Sequence, residues 1–258
     1  MFLFLSKEVI ITKREKILLS LSCAFALVFG VVPVSHGMHI MEGYLPLTHC
    51  LIWGAISVPF VVAGIIKIKK LTEENRRTMV LIAMAGAFVF VLSSLKIPSV
   101  TGSCSHMTGT GLGAVLFGPA ATSVLGIIVL LFQAILLAHG GLTTLGANTF
   151  SMAIGGPLLT WILWKGLKGT NINKPFAVFL ATALGDLFTY CITSFQLAFA
   201  YPSETGGVMA SAAKFLGIFA ATQVPLAIIE GILSALVYMA LMNYAKPEMR
   251  AIGLAPQK

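Results

Sequence analysis

The residues with the most chemistry for their length are Met38 and His39. A chain beginning at Met38 offers a free α-amine, the amide nitrogen of His39 and the His39 imidazole. These three close a five-membered and a six-membered chelate ring around one metal ion. Nitrogen donors in a plane suit divalent nickel, copper or low-spin cobalt rather than magnesium or calcium. The upstream residues carry what such a start needs. Lys13, Arg14 and Lys16 form a basic patch, Ile17 to Val34 is an apolar run, and small Ser35 and Gly37 stand at the minus-three and minus-one positions of a cut before Met38. Residues 1–37 are therefore expected to be a signal peptide and 38–258 a transmembrane metal-capture domain. If the apolar run stayed as a signal anchor, Met38 would remain within the chain and its amine would be blocked.

A fourth nitrogen is available from His106, in the run from Pro98 to Gly111, which is too polar and glycine-rich for a lipid-facing segment. Such a run reads as a structured loop held inside a helix bundle, with serine and threonine hydroxyls serving freed amides. His106 either completes a four-nitrogen site or hydrogen-bonds within a turn. His139, in a Gly-rich run, is expected to support the loop or order a ligand rather than bind metal directly. His49 reads as an interfacial residue near a helix start.

The elements that must position these groups are membrane helices. Hydrophobic residues make up 57% of the 258 residues and charged residues 10%, and the mean hydropathy is +0.94. That balance describes a polytopic membrane protein. The net charge of +8 becomes +6 once the leader's four basic and two acidic residues are set aside. These charges lie mostly in short loops and encode topology rather than nucleic-acid binding. Four scattered cysteines without C-x-x-C spacing argue against a disulfide framework.

Apolar runs cover Leu47 to Ile66, Met79 to Leu95, Leu112 to Ala138, Phe150 to Trp164, Phe176 to Ala200 and Val208 to Tyr244. Six passes starting outside would export the C-terminal Lys246, Arg250 and Lys258 as well as Lys165, Lys168 and Lys174, against the positive-inside rule. A break near Gly118-Pro119, giving a second crossing or a re-entrant hairpin, removes the conflict. The expected fold is thus all-α with seven transmembrane helices, six plus a short or re-entrant one. The N-terminus lies outside, the basic loop Lys67 to Arg77 inside, the His106 and His139 loops outside and the C-terminus in the cytoplasm.

Three motifs taken together resemble the CbiM family, the substrate-capture components of cobalt transporters in the energy-coupling-factor class, whose nickel-specific relatives are the NikM proteins. They are the run from Met38 to Pro46, the loop Gly102-Ser103-Cys104-Ser105-His106-x-Thr108-Gly109, and the run from His139 to Asn148. The resemblance implies a subunit without enzymatic activity that binds cobalt(II), or nickel, as transported substrate through Met38, His39 and His106. It also implies supply of cobalt for cobalamin synthesis. The implied partners are a small CbiN-type membrane subunit, a CbiQ-type coupling protein and a CbiO-type ATPase, all at the cell membrane. Met41-Glu42-Gly43 resembles the cobalt branch. Met107 stands where the family's loop has proline, a change that predicts a looser loop.

Asp186, the only aspartate, and Glu230 lie within apolar spans, where acids are functional candidates or pair between helices. Asp186, Ser105 and Thr108 are the remaining candidates for ordering the metal loop, Asp186 through Thr189 or a water. Ala83 and Ala87, one helical turn apart, could meet the coupling protein or pack within the chain. Other functions fit less well. The chain has no H-E-x-x-H and cannot build an aspartyl dyad, and it lacks a phosphate-cradling G-x-x-x-x-G-K-[ST], so ATP-driven uptake needs a separate ATPase. A passive or proton-coupled carrier using Asp186 and Glu230, and a cuprous site using Cys104, Met38, Met41 and Met107, are the competing readings.

Overall fold

The computed structural model describes residues 39–95, 97–98 and 104–256. The leader assigned to residues 1–37, Met38 with its amine, Gly102 and Ser103 of the loop, and Lys258 lie outside the described residues. The described residues are mainly helical, with a two-residue antiparallel ladder that pairs Ile97 with Ser105 and Pro98 with Cys104. Among the described residues, five helices are long and apolar enough to cross a membrane. They are α1 (Leu47–Glu74), α2 (Arg77–Ser94), α4 (Pro119–Leu136), α7 (Lys174–Ala200) and α8 (Gly207–Tyr244).

Helix α1 shows how packing is achieved where lipid is the solvent. Its fully buried residues are Cys50, Ser57 and Gly64, seven apart and on one face, while Leu51, Val58 and Ile65 beside them are exposed. Small residues let backbones approach closely when no hydrophobic force drives helices together. The Ser57 hydroxyl donates to the Gly146 carbonyl at 3.0 Å. The sequence reading placed a basic loop from Lys67 to Arg77, but α1 runs on to Glu74 and leaves only Asn75 and Arg76 between helices. The i,i+4 pairs Lys69–Glu73 and Lys70–Glu74 support that extra helix.

The apolar run after Gly111 is broken at Gly118-Pro119. Helix α3 (Thr110–Phe117) is eight residues long and wholly buried, and α4 starts afresh at Pro119, where a missing N–H costs nothing. The run placed at Phe150 to Trp164 belongs to a longer helical stretch: α5 (Leu145–Asn148), a π-helical segment Thr149–Gly155 and α6 (Gly156–Leu167). Pro157 cannot donate back into the π segment, and the Met152 carbonyl, five residues earlier, accepts the Thr110 hydroxyl at 3.0 Å instead. That bond ties this stretch to α3. Helices α7 and α8 form the most extensive pair in the bundle, and the short α9 (Lys246–Ala251) follows α8.

Candidate metal centre

Three loops from distant parts of the chain bring His39, His106 and His139 together, each buried, with one ring nitrogen from each within 4.8 Å of the others. His39 and His106 are nearly parallel, 18° between planes, and His139 stands edge-on to both. The His106 Nδ1 lies 2.8 Å from the Met107 carbonyl. A carbonyl only accepts, so Nδ1 carries the proton and Nε2 presents its lone pair. That Nε2 is 2.6 Å from His39 Nδ1. Two nitrogens bound to one ion at about 2.0 Å and at right angles would stand about 2.8 Å apart, so the two rings already hold the spacing of neighbouring metal ligands.

Each histidine is fixed through backbone beside it. Asn148 binds the neighbour of His39 at both ends, its Oδ1 accepting the Ile40 N–H at 2.8 Å and its Nδ2 donating to the Ile40 carbonyl at 3.0 Å. Thr144 adds a hydroxyl to the same carbonyl at 2.6 Å. The Ile40 side chain is buried with Leu45, Cys50, Ala147, Tyr190 and Phe219, which roots the segment in apolar packing as well. Further along, the Glu42 N–H donates to the Gly140 carbonyl and the Thr143 N–H to Glu42 Oε2. Hydrogen bonding from the Thr143 hydroxyl, aided by the Thr143 and Leu142 amides, holds the Glu42 carboxyl below its ordinary value of 4.5 against the opposing effect of burial. Gly141 is needed for this contact because a Cβ there would lie 2.5 Å from Glu42 Cα.

The His106 loop hangs from helices α7 and α8. Glu230 accepts the Thr108 N–H at 2.6 Å and the Thr108 hydroxyl at 2.9 Å. Gln223 donates to the His106 carbonyl at 3.3 Å and to Asp186 Oδ2 at 2.5 Å. Ser105 pairs with the Thr222 hydroxyl at 2.6 Å. Asp186 therefore reaches the loop through Gln223; Thr189, the expected link, donates to the Gly185 carbonyl of its own helix. Gly109 turns the loop into α3 with φ +70°, and a Cβ there would lie 2.9 Å from Val89 Cα. The Met107 side chain is buried against Leu92 and Leu226 and anchors the loop there. The same burial takes this thioether into an apolar cluster, away from the role assigned to it in a cuprous site.

The expected site residues thus separate clearly. His39, His106 and His139 converge; Ser105, Thr108 and Asp186 hold the loop; His49 sits beside Thr48 at the start of α1, outside the cluster. Asn148, Thr144, Gln223 and the clamping role of Glu230 were missed by sequence reasoning. Only the buried-acid rule signalled one of them. A cavity of about 510 Å³ opens beside His39 between the C-terminal end of α7 and the N-terminal part of α8, lined in part by Tyr44, Leu197, Lys214 and Phe219.

Long apolar helices around a buried cluster of three imidazoles define a multi-pass membrane protein with a donor set of the kind that holds a metal ion. The family described as cobalt uptake substrate-specific transmembrane region, CbiM, matches residues 39–249, and the chain belongs to it. The cobalt transport protein CbiM of Lachnoclostridium phytofermentans is 63% identical over 242 residues, covering 94% of this chain and 97% of that one. That of Chlorobium limicola is 58% identical over 234 residues, covering 91% and 92%. The crystal structure of a truncated transition metal transporter shares the fold, with a TM-score of 0.70 at 24% identity over 80% of this chain and 99% of that one.

Proposed function

We propose that the protein is the substrate-binding subunit of an ATP-driven importer of the energy-coupling-factor class, capturing cobalt(II) on the extracytoplasmic side. The ligands in this reading are the Met38 amine exposed by removal of residues 1–37, the His39 amide and Nδ1, and His106 Nε2. His139, edge-on to both rings, supports them. The observation that carries the reading is the 2.6 Å approach of His39 Nδ1 and His106 Nε2 in a buried site one residue from the proposed terminus. The Ile40 N–H is occupied by Asn148, so this reading draws its backbone donors from the residues before Ile40. CbiN-, CbiQ- and CbiO-type partners would supply coupling and ATP hydrolysis, and the family and relatives named above for cobalt support cobalt over nickel. Seven passes, with α3 as the short one, put the histidine loops outside and the C-terminus in the cytoplasm.

Intact mass and metal content of the purified protein test the terminal chelate together. The expected result is a chain starting at Met38 that carries cobalt, and loss of cobalt when the leader cut is blocked, since a peptide-bonded Met38 has no amine to give. An uncleaved chain that held and transported cobalt like the processed one would refute the terminal chelate. Uptake that survived loss of the ATPase but collapsed with the proton gradient would favour a proton-coupled carrier instead.

A further inference from the structure

At the end of the bundle remote from the histidines, a cavity of about 220 Å³ is bordered by Lys67, Lys165, Lys168, Trp161 and Gly118. Lys67 is twenty residues beyond Leu47 in α1, so it lies about 30 Å along the helix, roughly the thickness of a bilayer core. The Lys67 ammonium and the Trp161 indole N–H converge on Gly118, 2.8 and 3.5 Å from where a Cβ would stand. Lys165 lies over the Trp161 ring, 3.9 Å from its centroid.

Three ammonium groups border this space, and among the described residues none pairs with a carboxylate; the ion pairs of α1 belong to Lys69 and Lys70. The carbonyl end of α3 contributes only about half a negative charge, and the start of α4 about half a positive one, so the two nearly cancel and the surplus stays close to three. A neutral hydrogen-bond donor is in the same place, the Trp161 indole N–H. The ammonium and indole donors, excess positive charge and an open cavity of about 220 Å³ suit a compact polyoxyanion.

We propose that this cavity binds a phosphate group, supplied by the headgroup of an acidic phospholipid. The source is argued from the flanks: Ile66 beside Lys67 and Ile162 beside Trp161 are 65% and 52% exposed, so apolar surface for acyl chains adjoins the cationic mouth. Basic pockets between membrane helices at headgroup depth recognise such lipids, and tryptophan belongs at the same level.

The test uses the whole protein in phosphatidylcholine nanodiscs, with phosphatidylglycerol titrated in and bound lipid counted by native mass spectrometry. Phosphatidylglycerol should bind in preference to phosphatidylcholine and weaken as salt rises. Lys67→Gln should weaken it about 5-fold and the exposed pair Lys165→Gln with Lys168→Gln about 30-fold, at about 5-fold per lysine. Retained cobalt binding reports that the variants are folded, and the exposed pair serves if Lys67→Gln is not. Lys69→Gln with Lys70→Gln should leave binding unchanged. Displacement by inorganic phosphate would keep the site and assign its source to a soluble phosphate. Equal binding of the two lipids, parental binding by the lysine variants, or an equal loss in the Lys69 and Lys70 control would overturn the proposal.

Discussion

Replacing Asn148 with alanine isolates the docking of the N-terminal segment from ligation itself. The side chain makes two neutral hydrogen bonds to Ile40, at 2.8 and 3.0 Å, and is buried. Each is worth about 1 kcal/mol net, and leaving a buried N–H unsatisfied costs about 1–3 kcal/mol. The Ile40 carbonyl keeps Thr144, and the Ile40 side chain keeps its apolar pocket, so the segment stays tethered and the loss falls near the middle of that range. A loss of about 2 kcal/mol appears as metal affinity because binding must then order the terminus afresh. Cobalt should therefore bind about 30-fold more weakly. Calorimetric titration of purified protein, with the start at Met38 verified by mass, reads this directly. Asn148→Asp should fall between the two, since it keeps the acceptor for the Ile40 N–H but loses the donor to the Ile40 carbonyl. A change below about three-fold in Asn148→Ala, with the protein folded, would refute the claim that this clamp positions His39.

His106→Ala should lose cobalt far more than His139→Ala, whose supporting contact is worth about 10- to 100-fold in affinity; equal losses in a metal titration would erase the distinction. Lengthening the terminus by one alanine between Met38 and His39 should make binding independent of His106, because Xaa-Xaa-His supplies four nitrogens by itself, and cobalt uptake should fail; uptake at the parental rate argues against the chelate. The pH dependence follows from Glu42. Its carboxyl is held below 4.5 in the folded protein, so its contribution to docking is fully present above that value and is lost as pH falls through the lower, folded one. Thermal stability of Glu42→Gln should thus differ from the parent at neutral pH and converge with it in acid, and a constant difference would contradict the assignment. A reporter fused after Lys258 should appear in the cytoplasm; extracytoplasmic labelling would return the six-pass arrangement.

Membrane class, the position of most helices and the three histidine-bearing motifs were legible in the sequence because they depend on local properties. Hydropathy reports the solvent of a segment, proline at 119 marks a helix start through its missing N–H, and a polar glycine-rich run between apolar helices must be sheltered. Helix α1 overran its apolar stretch because i,i+4 pairs beyond Ile66 sustain a helix that hydropathy does not see. The π segment was invisible because it rests on a long-range exchange, the Met152 carbonyl accepting from Thr110. What the tertiary structure alone decided is which partners hold the site. Ile40 and Asn148 are 108 residues apart, and Thr108 and Glu230 are 122 apart. No periodicity links such pairs, since a hydrogen bond between loop and helix leaves no pattern in either. The sequence determined that imidazoles were available in three polar runs; the 2.6 Å approach of two of them came from helices stacking closely on small residues, which carries separate loops to one end of the bundle.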